Sequence, residues 1–335
     1  MANRNIAGKA SEKADTTNAG SASDTGEQGR FGVIADAVHA EMGEHASEAV
    51  GPHPRNDLND LTGREWIQET KSVWFQKGLG AQHPEARIER LHPAPFSFQD
   101  VGRLIAFFTK QGQTVLDPFC GVGSTLKACL RLGRRGVGIE LMEVWADLTR
   151  KRLETECGSL DGQEIITGDA RDVLPTFASE SVNFVITSPP YWGILNKKPD
   201  HKLLAERVGN GLATHYSEVA TRTEASKDLA NIVDYHEFLK QLVQVFDQCL
   251  RTLETNRYLA IVVSDFRHKG VFVPFHADLI TAMSQLGEKR AVLKGITILA
   301  QNQKRLYPYG YPYGYVPNMH HQYILIFRKE SAFGD

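Results

Sequence analysis

The motif SPPYW, which runs from Ser188 to Trp192, combines residue types that can act on an amino group. Ser188 offers a hydroxyl oxygen, and Pro189 offers a carbonyl on a backbone with a fixed φ angle and no N–H. Two such acceptors can hold the N–H bonds of an amino group on cytosine or adenine, which frees the nitrogen lone pair to attack a sulfonium methyl group. Tyr191 and Trp192 can stack on a base rotated out of a duplex. The alternative is a Pro189-Pro190 turn that only ends a strand and packs Tyr191 on the core.

A second motif, VLDPFCGVGSTLKA at residues 115–128, is typical of a strand, a glycine turn and a helix. Gly121 and Gly123 let the backbone approach a ligand without Cβ clashes. The third glycine of a GxGxxG dinucleotide loop is missing, and the sequence has no GxxxxGK[ST] phosphate loop. Asp117 would repel a phosphate but attract an ammonium group. S-adenosyl-L-methionine carries an ammonium and a sulfonium and no phosphate, so the loop favours this methyl donor over a nicotinamide cofactor.

Two more carboxylates follow predicted strands. Glu140 ends the strand after the glycine loop, where a carboxylate commonly accepts both hydroxyls of a ribose. Asp169, in the segment TGDAR, can accept from an adenine amino group or can cap a helix. Together with Asp117 these acids lie at three successive strand ends, and this pattern predicts a binding pocket for the donor.

Strand-like and helix-like segments alternate between residues 110 and 330. Apolar runs separated by helices indicate a parallel sheet that is covered on both faces. The fold class is therefore α/β, a doubly wound, mostly parallel sheet with an antiparallel last strand. Its seven predicted strands are 113–117, 135–140, 164–168, 182–187, 257–264, 293–300 and 322–328.

The segment DPFCGVGST followed by TSPPYW resembles the DNA amino-methyltransferases, which methylate an exocyclic nitrogen of cytosine or adenine. The resemblance covers about residues 60–330 and implies that the predicted sheet is the Rossmann-like fold of class I S-adenosyl-L-methionine-dependent methyltransferases. It implies that Phe119, Gly121 and Gly123 bind the donor and that the tetrapeptide starting at Ser188 binds the target amino group. Serine in that first position is typical of cytosine-N4 enzymes, whereas aspartate is commoner in adenine-N6 enzymes. The order of the two motifs is reversed in many members with similar loops, so the subclass stays open.

Three further segments receive a predicted role. The resemblance implies that residues 92–109, with Pro93 and Phe96, help to hold the methionine part of the donor. Two segments outside the core pattern, 193–234 and 301–321, are predicted to contact double-stranded DNA. The second segment contains five tyrosines, no acid, and the cations Lys304 and Arg305, which suit stacking on bases and contact with phosphates. The alternative is a rigid surface loop.

Composition limits the remaining possibilities. The chain has 335 residues and a formal net charge of −2, so its overall charge argues neither for nor against nucleic acid. Residues 1–55 are predicted to be a disordered tail and 56–330 the methyltransferase domain. The four cysteines form no CxxC pair, which predicts neither a metal site nor disulfides. The sequence shows no apolar run of membrane-spanning length, and we expect a cytoplasmic protein.

These observations favour a site-specific DNA methyltransferase that uses S-adenosyl-L-methionine and acts on an exocyclic amine, cytosine N4 before adenine N6. An RNA amino group is a further alternative. A non-catalytic nucleic-acid-binding module belongs to another class, and the intact acceptor turn argues against it. A companion restriction endonuclease would be a separate chain. The recognition sequence and the oligomeric state stay open.

Overall fold

A computed structural model describes seven stretches of the chain: 51–77, 83–86, 88–92, 97–193, 221–287, 290–301 and 304–331. Several sequence predictions fall wholly or partly outside the described residues. They concern residues 1–50 of the predicted tail, the donor-contacting Pro93 and Phe96, and residues 194–220 of the first predicted insertion.

The helices and strands alternate along the described residues, as the sequence predicts. The helices are α1 (Gly63–Glu69), α2 (Phe98–Phe108), α3 (Ser124–Leu132), α4 (Glu143–Cys157), α5 (Ala170–Val173), α6 (Arg222–Lys227), α7 (Tyr235–Thr252) and α8 (Phe275–Ser284). The strands are β1 (Val73–Phe75), β2 (Thr114–Asp117), β3 (Arg135–Glu140), β4 (Gln163–Thr167), β5 (Val182–Thr187), β6 (Leu253–Val263), β7 (Phe266–His268), β8 (Val271–Val273), β9 (Val292–Ala300) and β10 (His321–Arg328).

Eight of these strands form one sheet in the order β1-β9-β10-β6-β5-β2-β3-β4. β10 is antiparallel to both β6 and β9, and the other pairings are parallel. The predicted doubly wound sheet with a reversed last strand is therefore confirmed. The predicted number of seven strands is wrong, because β1 adds an eighth strand at the edge beside β9. Three residues within a polar segment give no periodicity that identifies such a strand.

Each face of the sheet packs against helices. Along β5, Phe184 and Ile186 belong to a buried cluster with residues of α2, whereas Val185 belongs to a second cluster with residues of α7 and α8. Successive side chains of a strand point to opposite faces, so a sheet covered on both faces needs apolar residues at every position. This is why the central strands are continuous apolar runs rather than alternating ones.

A small two-stranded sheet, β7 paired antiparallel with β8, follows β6 and was not predicted. Its turn consists of Lys269 and Gly270, whose φ angles are 49° and 84°. Two residues with positive φ match the twist of a tight hairpin. The sequence therefore forms a hairpin of three-residue strands, too short for a clear alternating pattern.

The chain reverses its direction of winding at the centre of the main sheet. From β2 it passes to β3 and β4 on one side, and it then returns to β5 and β6 on the other side. The carboxyl ends of β2 and β5 lie beside each other at this switch point, where doubly wound sheets leave a crevice for ligands. Among the described residues, none of the helices combines the length and apolar character needed to cross a membrane.

Candidate active site

Asp117 links the two central strands at the switch point. It is the last residue of β2, and its carboxylate accepts hydrogen bonds from Thr125 Oγ1 at 2.5 Å, from Thr187 Oγ1 at 2.6 Å and from the Phe119 backbone N–H at 3.1 Å. Burial raises the pKa of Asp117, while the two threonine hydroxyls and the backbone N–H favour its charged form. The side chain therefore fixes the start of the glycine loop as well as facing the cavity described below.

Glu140, at the end of β3, holds the glycine loop from the other side. One carboxylate oxygen accepts from the Gly121 backbone N–H at 2.8 Å, and the other accepts from the Met142 backbone N–H at 3.0 Å. Burial raises the pKa of Glu140 to about 8. Gly121 has a φ angle of 54°, and a Cβ there would lie 3.3 Å from His92 Nε2. A glycine at this position therefore relieves both backbone strain and crowding.

Gly123 lies where the glycine loop meets α4. Its φ angle is 73°, and a Cβ added there would lie 2.3 Å from Thr149 Cγ2 on α4. It is not among the residues that line the cavity. At Gly123 the missing side chain allows α4 to pack closely against the loop at the start of α3. The contact of Gly123 with the donor stays a prediction.

Asp169 is the N-cap residue of α5, which matches the helix-cap alternative of the sequence analysis. Its carboxylate accepts from the Arg171 backbone N–H at 2.9 Å and pairs with the Arg171 guanidinium, whose Nη2 lies 2.6 Å from Oδ2. The same Nη2 donates to the Lys227 carbonyl oxygen at 2.6 Å. Asp169 also lines the cavity, so this ion pair connects the cavity wall to the end of α6.

The SPPY turn follows β5 directly, and all four residues from Ser188 to Tyr191 line the cavity. The Tyr191 hydroxyl accepts from the Ser264 backbone N–H at 2.9 Å, and its ring centroid lies 6.2 Å from that of Phe266. Burial raises the pKa of Tyr191. The aromatic ring is thus held in place from the protein side while it contributes to the cavity wall.

Trp192 is not among the cavity-lining residues, although the sequence predicted that it contacts substrate. Its indole N–H donates to the Ile232 carbonyl oxygen at 2.8 Å. Its ring centroid lies 4.1 Å from that of His268 and 5.2 Å from that of Tyr235. The structure therefore places the indole in a cluster of protein rings.

Lys304 and Arg305 lie in the loop between β9 and β10, away from the cavity lining. β9 is parallel to β6, so this loop leaves the sheet at the same carboxyl edge as the SPPY turn. The Arg305 guanidinium carbon is 5.5 Å from the ring centroid of Tyr307. Tyr313 and Tyr315 are 97% and 90% exposed, which leaves their rings free to contact a large ligand.

The cavity between the glycine loop and the SPPY turn has a volume of about 110 Å³ and is open to solvent at its mouth. Its charged residues are four acids and one lysine, which suits a cationic ligand and disfavours a phosphate. Apolar side chains complete the wall and offer a surface for an aromatic ring. The predicted site residues in the lining are Asp117, Phe119, Gly121, Glu140, Asp169, Ser188, Pro189, Pro190 and Tyr191.

Four polar residues of the lining were not among the predicted site residues: His92, Ser124, Lys227 and Asp228. Asp228 follows α6, and its carboxylate accepts from the Ala230 backbone N–H at 2.8 Å. Burial raises the pKa of Asp228. A Thr-x-x-Glu capping box at Thr221 and Glu224 could have identified α6, and the aspartate before Leu229 could have identified the next turn. Nothing local indicates that this turn packs on the cavity.

The described residues contain no cluster of His, Cys, Asp or Glu side chains arranged to hold a metal ion. A glycine loop after the central strand, an acid at the next strand end and a cavity at the switch point are the arrangement that the sequence analysis expects for an S-adenosyl-L-methionine-dependent methyltransferase. The N6/N4 DNA methylase family matches residues 35–151. The matched segment, which contains the glycine loop but not the SPPY turn, is similar to this family, in agreement with the resemblance drawn from the glycine-loop motif. The predicted cofactor, S-adenosyl-L-methionine, agrees with this similarity. The match begins inside the segment predicted as a tail.

Individual relatives agree with this family. The type II methyltransferase M.BglI of Bacillus subtilis is 34% identical over 100 residues, which cover 30% of this chain and 27% of the relative. The type II methyltransferase M2.DpnII of Streptococcus pneumoniae is 42% identical over 96 residues, 27% of this chain and 32% of the relative. The matches thus span about a third or less of the relatives' own length.

Among solved structures, a putative DNA modification methylase of Thermus thermophilus, crystallised with S-adenosyl-L-methionine, is 27% identical. That similarity covers 50% of this chain and 56% of the other, with a TM-score of 0.32.

Proposed function

We propose that this chain is a site-specific DNA methyltransferase that transfers a methyl group from S-adenosyl-L-methionine to N4 of cytosine. The observation that carries the proposal is the shared cavity: the glycine loop with Asp117 and Glu140 forms one wall, and the turn from Ser188 to Tyr191 forms another. A donor and an acceptor held in one cavity need no covalent intermediate, because transfer depends on orientation and on electrostatic stabilisation.

The donor side of the cavity fits the chemistry of the cofactor. Bound S-adenosyl-L-methionine supplies an electrophilic methyl group on a positively charged sulfur. Asp117, Asp169 and Asp228 provide negative charge or hydrogen-bond acceptors for its ammonium and adenine groups. Glu140 is positioned at a strand end for the ribose hydroxyls, and each of its oxygens keeps acceptor capacity beyond its single backbone N–H.

The acceptor side fits an amino group rather than a ring carbon. Carbon-5 methylation of cytosine needs a thiolate nucleophile. Cys120 lies in the cavity lining, but burial, together with the charges of Asp117 and Glu140, raises the pKa of its thiol well above the ordinary value. A thiol held in its neutral form is a poor nucleophile. Ser188 and Pro189 instead provide the two oxygen acceptors that an exocyclic amino group requires.

Adenine N6 is the second candidate, because the same pair of acceptors can bind either exocyclic amine and the matching family includes both kinds of enzyme. Serine at position 188 favours cytosine. Double-stranded DNA is the proposed substrate. The named type II relatives support a place in a restriction-modification system, with the endonuclease on a separate chain.

The proposal is tested by transfer of a labelled methyl group from S-adenosyl-L-methionine to genomic DNA. Ser188→Ala removes one acceptor and should lower turnover by about 10²–10³-fold. Tyr191→Phe keeps the ring and should retain most of the turnover, whereas Tyr191→Ala should lose it. Donor binding, measured by calorimetry, should be nearly unchanged in all three variants. A parent protein that binds the donor but methylates no DNA would refute the proposal.

A further inference from the structure

The β7–β8 hairpin, residues 266–273, is an element that the proposed function does not use. Its strands pair Phe266 with Val273, Arg267 with Phe272 and His268 with Val271. It leaves the sheet after the carboxyl end of β6, next to β5. The hairpin thus starts from the same edge of the sheet as the SPPY turn.

The base of the hairpin is joined to that turn by two aromatic contacts. The buried ring of Phe266 meets Tyr191 edge to face, with centroids 6.2 Å apart. The ring of His268 packs on Trp192 with centroids 4.1 Å apart. Each partner is one of the two aromatic residues that directly follow Pro190. The position of the hairpin is consequently fixed relative to the turn that receives the target amino group.

The tip of the hairpin is exposed, apolar and basic. Val271 is 66% exposed and Phe272 is 43% exposed. Arg267 lies across from Phe272, with its guanidinium carbon 5.5 Å from the ring centroid, and Lys269 is exposed in the turn. The hairpin carries two cations and no acid. Large apolar side chains beside Arg and Lys on a protruding turn suit a ligand that combines stacked rings with phosphates.

We propose that the β7–β8 hairpin enters the DNA duplex beside the extruded base, with Phe272 contacting the exposed base stack and Lys269 contacting a backbone phosphate. This inference rests on the proposed function. A base leaves the stack at a cost of unpairing and unstacking, and an inserted apolar side chain offsets part of that cost. The hairpin would then act as a positioning element for base extrusion and would not touch the methyl donor.

The test compares Phe272→Ala with the parent protein on two DNA duplexes that carry the methylated site mapped in the parent. In one duplex the target base is normally paired, and in the other it is mispaired, which makes extrusion easier. Phe272→Ala should lower the transfer rate on the paired duplex by about ten- to a hundredfold and should lose much less on the mispaired one. Phe272→Leu, which keeps an apolar tip, should restore most of the rate.

Phe75→Ala is the matched control, because Phe75 is 62% exposed and lies on the edge strand β1, three strands away from β6. The transfer rate of Phe75→Ala should equal that of the parent protein on both duplexes. Lys269→Ala should bind DNA more weakly. The salt dependence of its affinity should fall by about the amount that one phosphate contact contributes. Lys151→Ala on α4 should leave that salt dependence unchanged. If Phe272→Ala does not fold, the comparison of Lys269→Ala with Lys151→Ala still tests whether the hairpin contacts DNA.

The failures of the two proposals are distinguishable. A parent protein that methylates neither duplex refutes the proposed function and the hairpin inference with it. If the parent is active and Phe272→Ala loses the same factor on both duplexes, or loses nothing, the hairpin inference alone is refuted. An unchanged salt dependence in Lys269→Ala would likewise refute the phosphate contact.

Discussion

At the scale of single residues, the acids of the cavity have two tasks. Asp117 and Glu140 bind backbone N–H groups of the glycine loop, and they also face the space proposed for the donor. Their types and positions at strand ends could be predicted from the sequence. Their hydrogen-bond partners could not, because Thr187 and Gly121 come close only through strand pairing. For the same reason, the packing of Gly123 against Thr149 and of Trp192 against His268 could not be predicted.

The raised pKa of Glu140, about 8 against an ordinary 4.5, predicts a proton linkage. Ribose hydroxyls bind best to the ionised carboxylate, so donor binding near pH 6.5 should release a proton from Glu140. Donor affinity should then rise from pH 6 to about pH 8. Calorimetry in two buffers of different ionisation enthalpy measures the released protons, and Glu140→Gln should release fewer. The exposed Glu164→Gln serves as control; equal release from Glu140→Gln and the parent protein would contradict the role.

The raised pKa of Glu140 also affects the stability of the folded protein in the absence of a ligand. Because the folded-state pKa lies above the unfolded value, the folded protein binds more protons than the unfolded chain between about pH 5 and pH 8. The contribution of Glu140 to the free energy of unfolding therefore falls as the pH rises through that window.

Gly123 and Gly158 form a matched pair for measuring the packing at the loop. Both have positive φ, 73° and 75°, but a Cβ at Gly123 would clash with Thr149 whereas a Cβ at Gly158 meets nothing within 4 Å. Gly158→Ala should lower the free energy of unfolding by about 1–2 kcal/mol, the cost of the left-handed conformation. Gly123→Ala should lower the free energy of unfolding further, because the clash of the new Cβ with Thr149 adds about 1–3 kcal/mol. Urea unfolding measures both values, and equal losses would show that α4 moves aside freely.

At the scale of elements, long apolar runs made the seven central strands predictable. The short strands β1, β7 and β8 were missed, because three residues have too few side chains to show a period. The loop between β9 and β10 was predicted as an insertion from its composition, and it does leave the carboxyl edge of the sheet. Its contact with DNA stays a prediction.

That contact can be measured through its salt dependence. Replacing Lys304 and Arg305 with alanine should weaken binding to all DNA sequences and lower the salt slope by about one unit for each lost phosphate contact. The control is Lys240→Ala on α7, whose side chain is 66% exposed. A change in the preference for one base, with an unchanged salt slope, would instead indicate that the pair reads base edges.

At the scale of the whole molecule, the strand order decides where the chemistry is placed. Asp117 and Ser188 are 71 residues apart in sequence (188 − 117), yet Asp117 ends β2 and Ser188 follows the neighbouring strand β5, because the winding reverses between these two strands. The fold class and the ligand edge could be predicted from alternating elements. The exact order could not, because it depends on how crossover helices pack on the two faces.

The central claim is that the SPPY turn directs a methyl group from S-adenosyl-L-methionine to an exocyclic amine of DNA. Identification of the modified nucleosides by mass spectrometry, after DNA treated with the protein is digested, tests it most directly. The account predicts N4-methylcytosine, and about 10²–10³-fold less of it from Ser188→Ala. N6-methyladenine would correct the base and keep the mechanism. A product consisting only of 5-methylcytosine, or DNA without any methylated base, would contradict the account.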